Sequence, residues 1–166
     1  MYFIWVIPLP FYLFFYENIF MEKTIKFSIT KSDVDEYKAL YFNEHQRAKK
    51  PPIDKPQHPS LNKYMIMNNH AANNLKQNWK RFIIWVLEKN NLMGLGIEKC
   101  SVKYITYFAI NRRHDLDNIS PKYIFDGLVA GGFIVDDDSE HIVSLTTQCF
   151  VDKENPRIEL IVDIME

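Results

Sequence analysis

The stretch KCSVKYITYFAI, Lys99–Ile110, decides the fold. It is rich in β-branched and aromatic residues, and near its end Ile105, Tyr107 and Phe108 make it apolar on both faces. A strand covered on both sides lies inside a sheet, so this segment predicts a central strand. Before it, Leu75, Trp79, Phe82, Ile83, Val86 and Leu87 follow the spacing of one helix face, which Asn90, Asn91 and Gly94 end. After it, Ser120-Pro121 supplies a cap and a first-turn proline for a helix running to about Ala130, and Gly131-Gly132 stops that helix.

Further out, Ile25, Phe27 and Ile29 alternate with Lys26 and Ser28 as a half-buried strand does. Ser32 is placed to cap a short helix from about Asp33 to Phe42, with Asp33, Asp35 and Glu36 favourable in its first turn. His141–Val151 and Arg157–Ile164 read as two alternating strands joined as a hairpin by Asp152–Pro156. The sum is a single α+β domain, a mixed β-sheet with helices packed on one side.

The chain has 166 residues, 47% hydrophobic and 25% charged, which excludes a disordered chain. Two cysteines, Cys100 and Cys149, are too few for a disulfide scaffold and lack the spacing of a zinc site; they read as reduced, packed thiols of a cytoplasmic protein. The net charge of −1 hides an asymmetry. Arg47 to Arg113 holds 13 Lys/Arg against Asp54, Glu88 and Glu98, whereas Asp115 to Glu166 holds 12 Asp/Glu against Lys122, Lys153 and Arg157. A basic half suits a polyanion and an acidic half suits cations, although two solvated faces give the same count.

Residues 1–20 are apolar and aromatic, but the run is short for a membrane span and carries Pro8 and Pro10. It also lacks the basic start and small-residue cleavage site of a secretory signal. It reads as an extension outside the working domain, with a start at Met21; a packed arm and a membrane anchor are the other readings. Residues 21–58 then hold the first strand, the short helix and a basic proline-rich loop, and 59–166 form the core. In the loop, Pro51, Pro52, Pro56 and Pro59 prevent a regular element and leave Arg47, Lys49, Lys50 and Lys55 free to meet phosphates.

Chemistry concentrates after the central strand, in Arg112-Arg113-His114-Asp115-Leu116-Asp117-Asn118. If strand geometry continues, Asp115 and Asp117 share a face. Two adjacent carboxylates repel unless one is protonated or a cation lies between them, and Mg²⁺ suits one or two carboxylates plus water. An acidic loop wetted by solvent is the plainer alternative. The next helix brings Lys122 one turn before Asp126, and the apolar run Gly131–Val135 ends in Asp136-Asp137-Asp138. If that helix returns the acidic run towards Asp115 and Asp117, the set matches metal-assisted phosphodiester cleavage.

The string DLDNISPKYIFDGLVAGGFIVDDDSEHI resembles the RusA-type Holliday-junction resolvases in its D-x-D-N, lysine, D-[AG]-L, glycine and D-D pattern. Asp115, Asp117, Asn118, Lys122, Asp126-Gly127-Leu128, Gly131 or Gly132, and Asp136-Asp137 supply it. Pro59-Ser60-Leu61-Asn62-Lys63-Tyr64 is similar to that family's P-S-x-N-x-[YW] segment, and the last two strands stand where the family has its closing hairpin. The resemblance runs from about Pro59 to Ile164. It implies a RusA-like fold and a Mg²⁺-dependent, structure-selective DNA endonuclease for which Mn²⁺ can substitute. It also implies a homodimer acting on four-way junctions, in recombination and repair of phage or prophage type, with no membrane partner.

In that reading Asp115, Asp117 and Asp137 hold the metal, with Asp136 as the alternative third ligand, and Lys122 stabilises developing negative charge. Arg47, Lys49, Lys50, Lys55, Asn62, Lys63, Lys76, Lys80, Arg112 and Arg113 contact DNA. Three departures stand out: Lys122 sits one residue further from D-x-D-N, the acidic run is three long, and the Asp33 helix with the proline-rich loop is an insertion. A non-catalytic branched-DNA-binding protein of the same family is the alternative. A nucleotide-sugar enzyme using D-x-D needs a larger doubly wound domain. His114 and His141 read as polar neighbours of the acidic positions, Trp79 as core, and no Gly-rich phosphate loop is present.

Overall fold

Cys100, Val102, Tyr104 and Thr106 project from alternate positions of one strand, and all four are buried. In the computed structural model, which describes residues 24–165, this strand is β2 (Cys100–Phe108). The apolar stretch 1–20 and the start expected at Met21 lie outside the described residues. The other elements are β1 (Thr24–Ile29), α1 (Lys31–Glu44), α2 (Leu61–Met65), α3 (Asn69–Lys89), a 3₁₀ turn (Leu116–Asn118), α4 (Lys122–Ala130), β3 (Ile142–Val151) and β4 (Arg157–Ile164). The strands form one sheet in the order β1-β4-β2-β3, so β2 is interior as its pattern predicts.

Register explains the core. Ile29, Ile158 and Thr106 lie side by side across three strands, as do Phe27, Leu160 and Tyr104. This face is buried, and α3 covers it with Trp79, Phe82, Ile83, Val86 and Leu87, while α4 adds Ile124, Phe125 and Leu128. The opposite face carries Lys26, Lys103 and Asp163, with Lys103 Nζ 3.9 Å from Asp163. It also carries Ile161 and the buried Ile105, and beyond them Tyr107 stacks on Phe150, with the Arg157 guanidinium 3.7 Å over Tyr107. These residues account for the two-faced apolar end of β2. Because β1 pairs with β4, residues 21–58 and the 59–166 core contribute to a single sheet.

Three expectations need correction. The N-cap of α4 is Pro121, not Ser120, because the Pro121 carbonyl is the first to accept helical bonds, from Ile124 N and Phe125 N. The cap of α1 is Thr30, not Ser32: Thr30 Oγ1 accepts from Asp33 N while Asp33 accepts from Thr30 N at 2.8 Å, a reciprocal capping box that starts the helix at Lys31. The last two strands are not a hairpin. β3 runs parallel to β2, reached through α4 as a crossover, and β4 inserts between β2 and β1. The reason is burial: Ile158, Leu160 and Val162 of β4 are fully buried, whereas Leu145, Phe150 and Val151 of β3 are exposed. The interior slot goes to the strand with the wholly apolar face. Segment 152–156 therefore crosses the end of β2, where Asp152 N donates to Phe108 O and Arg157 binds both Asp152 and the Asn155 carbonyl.

Candidate functional site

The strand ends at Phe108, and residues 109–115 leave it without regular structure before the 3₁₀ turn. The segment folds back, so His114 stacks on Phe108 with centroids 3.7 Å apart and planes within 6°. From the other side comes the end of the proline-rich loop, fixed by Gln57 Nε2 donating to Tyr107 O at 2.8 Å. Ser60 then caps α2 by accepting from Lys63 N, which sets Lys63 facing the same space. Between loop and turn lies a cavity of about 390 Å³. Lys55, Lys63 and Arg113 stand around it with Asp115 and Asn118, and Tyr104 and Thr106 of β2 line it.

The inner lining is polar but underused. The hydroxyls of Tyr104 and Thr106, and that of Tyr123, which does not line the cavity, are buried and have no hydrogen-bond partner among the described residues. Leaving such a group unpaired costs on the order of 1–3 kcal/mol. His58, in contact with the rings of Trp79, Tyr104 and Tyr123, donates from Nδ1 to Pro59 O at 2.8 Å. Burial pushes its pKa below the ordinary histidine value, against the opposing effect of that carbonyl. At neutral pH the ring is thus uncharged, and Nε2 is left as an acceptor. Burial also drives the Tyr104 phenol far above its ordinary value, so it stays a neutral donor.

Of the residues expected from sequence, Lys55, Lys63, Arg113, Asp115 and Asn118 are brought together here. Arg113 Nε lies 3.7 Å from Asp115 Oδ1, both side chains being exposed. Arg112 and Asn62 are exposed on the adjoining segments, and Arg47, Lys49 and Lys50 are exposed on the loop. Lys76 and Lys80 are half-buried on α3. Lys122 Nζ lies 3.7 Å from Asp126 Oδ1 along α4, a pair with Lys122 exposed and Asp126 half-buried, of small energetic weight.

The carboxylates are arranged differently from the expectation. Strand geometry does not persist to Asp115, so alternation does not place Asp117 beside it; Asp115 lines the cavity and Asp117 does not. The acidic run is at the other end of β2. Ile142 N donates to Asp138 O and Cys100 N donates to His141 O, so Asp136–Asp138 lie by the start of the strand whose far end leads to Asp115. Crossover by one helix followed by a parallel strand requires this separation. Within the run, Asp136 accepts from Asp137 N, and Asp138 pairs with His141 Nδ1 at 2.7 Å, which lowers the carboxyl pKa and raises that of the imidazole.

Among the described residues no three His, Cys, Asp or Glu side chains gather as a metal cluster. Asp115, and Asp117 in the 3₁₀ turn, offer carboxylate oxygens of the kind magnesium takes, but the set expected with Asp137 is not brought together within one chain among the described residues. His58 and Thr106 escaped the sequence reading. A signal existed for Thr106, a hydroxyl at a core position of an otherwise apolar strand face, but nothing local marks His58 as buried.

Compared with known proteins, the chain matches no family model and no curated protein. Among the described residues no helix is long and apolar enough to cross a membrane.

Proposed function

We propose that the protein is a Mg²⁺-dependent, structure-selective DNA endonuclease acting as a homodimer on Holliday junctions or related branched DNA. The observation that carries this reading is the cavity at the end of β2, where Lys55, Lys63 and Arg113 face Asp115 and Asn118. Three cations around one carboxylate suit a phosphodiester backbone: the cations replace condensed counterions, and the carboxylate offers oxygen beside the bound phosphate. Asp115 and Asp117 are the residues that would hold the ion, which when bound neutralises phosphate charge and activates water. The chain's own part is positional. Gln57 holds the loop against β2, Ser60 orients Lys63, and the exposed cations of 47–50 extend the basic surface outward.

The separation of Asp137 from Asp115 favours a second reading, a branched-DNA-binding protein without cleavage. One assay separates the two. Labelled four-way junctions, forks and flaps are incubated with the protein, with and without Mg²⁺. Cleavage that requires the metal and is lost in Asp115→Asn, with binding retained or tightened, supports the endonuclease. Binding without cleavage in Mg²⁺ or Mn²⁺ supports the second reading, and failure to bind branched DNA removes both.

A further inference from the structure

We propose that the cavity at the end of β2 holds one unstacked nucleotide of the branched DNA, with its base against the Phe108–His114 stack and its phosphate among Lys55, Lys63 and Arg113. This proposal rests on the DNA-binding reading above and adds what the site selects. Phosphate binding alone needs only surface cations. This site has more: a half-open cavity of about 390 Å³, within the size of pockets for small organic ligands. Its lining includes the stacked rings of Phe108 and His114, with planes within 6°. It also includes Tyr104 and Thr106, each at least nine-tenths buried, whose hydroxyls have no partner among the described residues. His58 also lines the cavity, and with Nδ1 donating to Pro59 O it keeps Nε2 as an acceptor. Cations, a stacking face and buried hydrogen-bonding groups together match the phosphate, the ring and the polar edge of a nucleotide.

The chemistry then explains selectivity. A base inside a duplex is paired and stacked, and drawing it out costs a few kcal/mol; beside a branch point, where stacking is interrupted on one side, that cost is lower. A pocket for one extruded nucleotide therefore discriminates against linear duplex without reading sequence over a long footprint. His114 is exposed, so its removal leaves the core untouched. Thr106→Val keeps the side-chain shape and removes only the hydroxyl.

The test uses the full chain in EDTA, so that no cleavage intervenes, and four-way junctions carrying a single 2-aminopurine at or beside the crossover. Binding is followed by anisotropy and the state of the base by fluorescence and acrylamide quenching. On wild type the probe should change intensity several-fold and become shielded from acrylamide. His114→Ala should lose that shielding and weaken junction binding about tenfold, the scale of one lost base–aromatic stack. Its affinity for linear duplex should stay unchanged. Thr106→Val should reduce the shielding, with its thermal midpoint confirming the fold. If junctions bind but the probe stays stacked, or if both variants shield it as wild type does, the pocket proposal is overturned while DNA binding stands. If no branched DNA binds at all, both readings fall.

Discussion

Asp33 shows how one residue can tie local and distant structure together. Its carboxylate accepts from Thr30 N at 2.8 Å and Thr30 Oγ1 at 2.6 Å, closing the cap of α1, and from Lys89 Nζ at 2.9 Å at the far end of α3. Burial by itself would raise its pKa; the bonds from Thr30 and Lys89 outweigh that and hold it below the ordinary carboxylate value. A depressed pKa means that the stabilisation is complete above the unfolded value, near 3.9, and is lost as pH falls through the lower folded value. Asp33→Ala should therefore cost on the order of 1–3 kcal/mol at pH 7. The gap between wild type and variant in urea unfolding should narrow at pH 3 and below; a gap that is constant with pH would assign the loss to packing. The sequence placed Asp33 in the first turn but chose Ser32 as cap, since Thr30 and Ser32 are equally competent locally. Lys89, 56 residues away, bears on that choice, and no local pattern reports it.

Helices and strands were legible where a single face is buried. The apolar stripe Trp79–Leu87 forms the buried side of α3, and α4 starts near the expected place, although its N-cap is Pro121 and not Ser120. Adjacency was not legible, because alternation tells which way a side chain faces and not which strand lies next to it. The same limit applied to the site. Charge and residue type were readable, but the relation between Asp115, Asp117 and Asp137 depends on where β2 stops and on which end of the sheet the crossover reaches. Gly127 makes the element scale testable. A Cβ there would stand 2.4 Å from Ile83 Cβ and 2.7 Å from its Cγ2, so α4 approaches α3 as closely as it does only because the side chain is absent. Gly127→Ala gains about 0.5–1 kcal/mol of helix preference but overpacks the helix contact at about 1–3 kcal/mol. The variant should unfold at lower urea than wild type, and a stabilised variant would show that the two helices are further apart.

For the whole molecule, the decisive feature is that β4, last in chain order among the described strands, occupies an inner place. β4 hydrogen-bonds to β1 on one side and β2 on the other, and Ile158, Leu160 and Val162 are fully buried beneath the helices. Among the described residues, β4 is the strand that joins β1 to the sheet, and without it β2 pairs with β3 alone. Burial of three such side chains is worth roughly 5–9 kcal/mol at about 1.5–3 kcal/mol each. That is comparable to the 5–15 kcal/mol total stability of a typical domain. A chain ending at Pro156 should thus show no cooperative unfolding transition by circular dichroism in urea. Leu145→Ser, on exposed edge strand β3, should move the midpoint by only about 0.5 kcal/mol or less. Had β3 and β4 formed a terminal hairpin with β4 outermost, the order of severity would be different, because truncation would remove one edge strand and leave a paired sheet behind. A truncated chain that keeps a sharp transition would place β4 at the edge and overturn the strand order on which the position of the cavity depends.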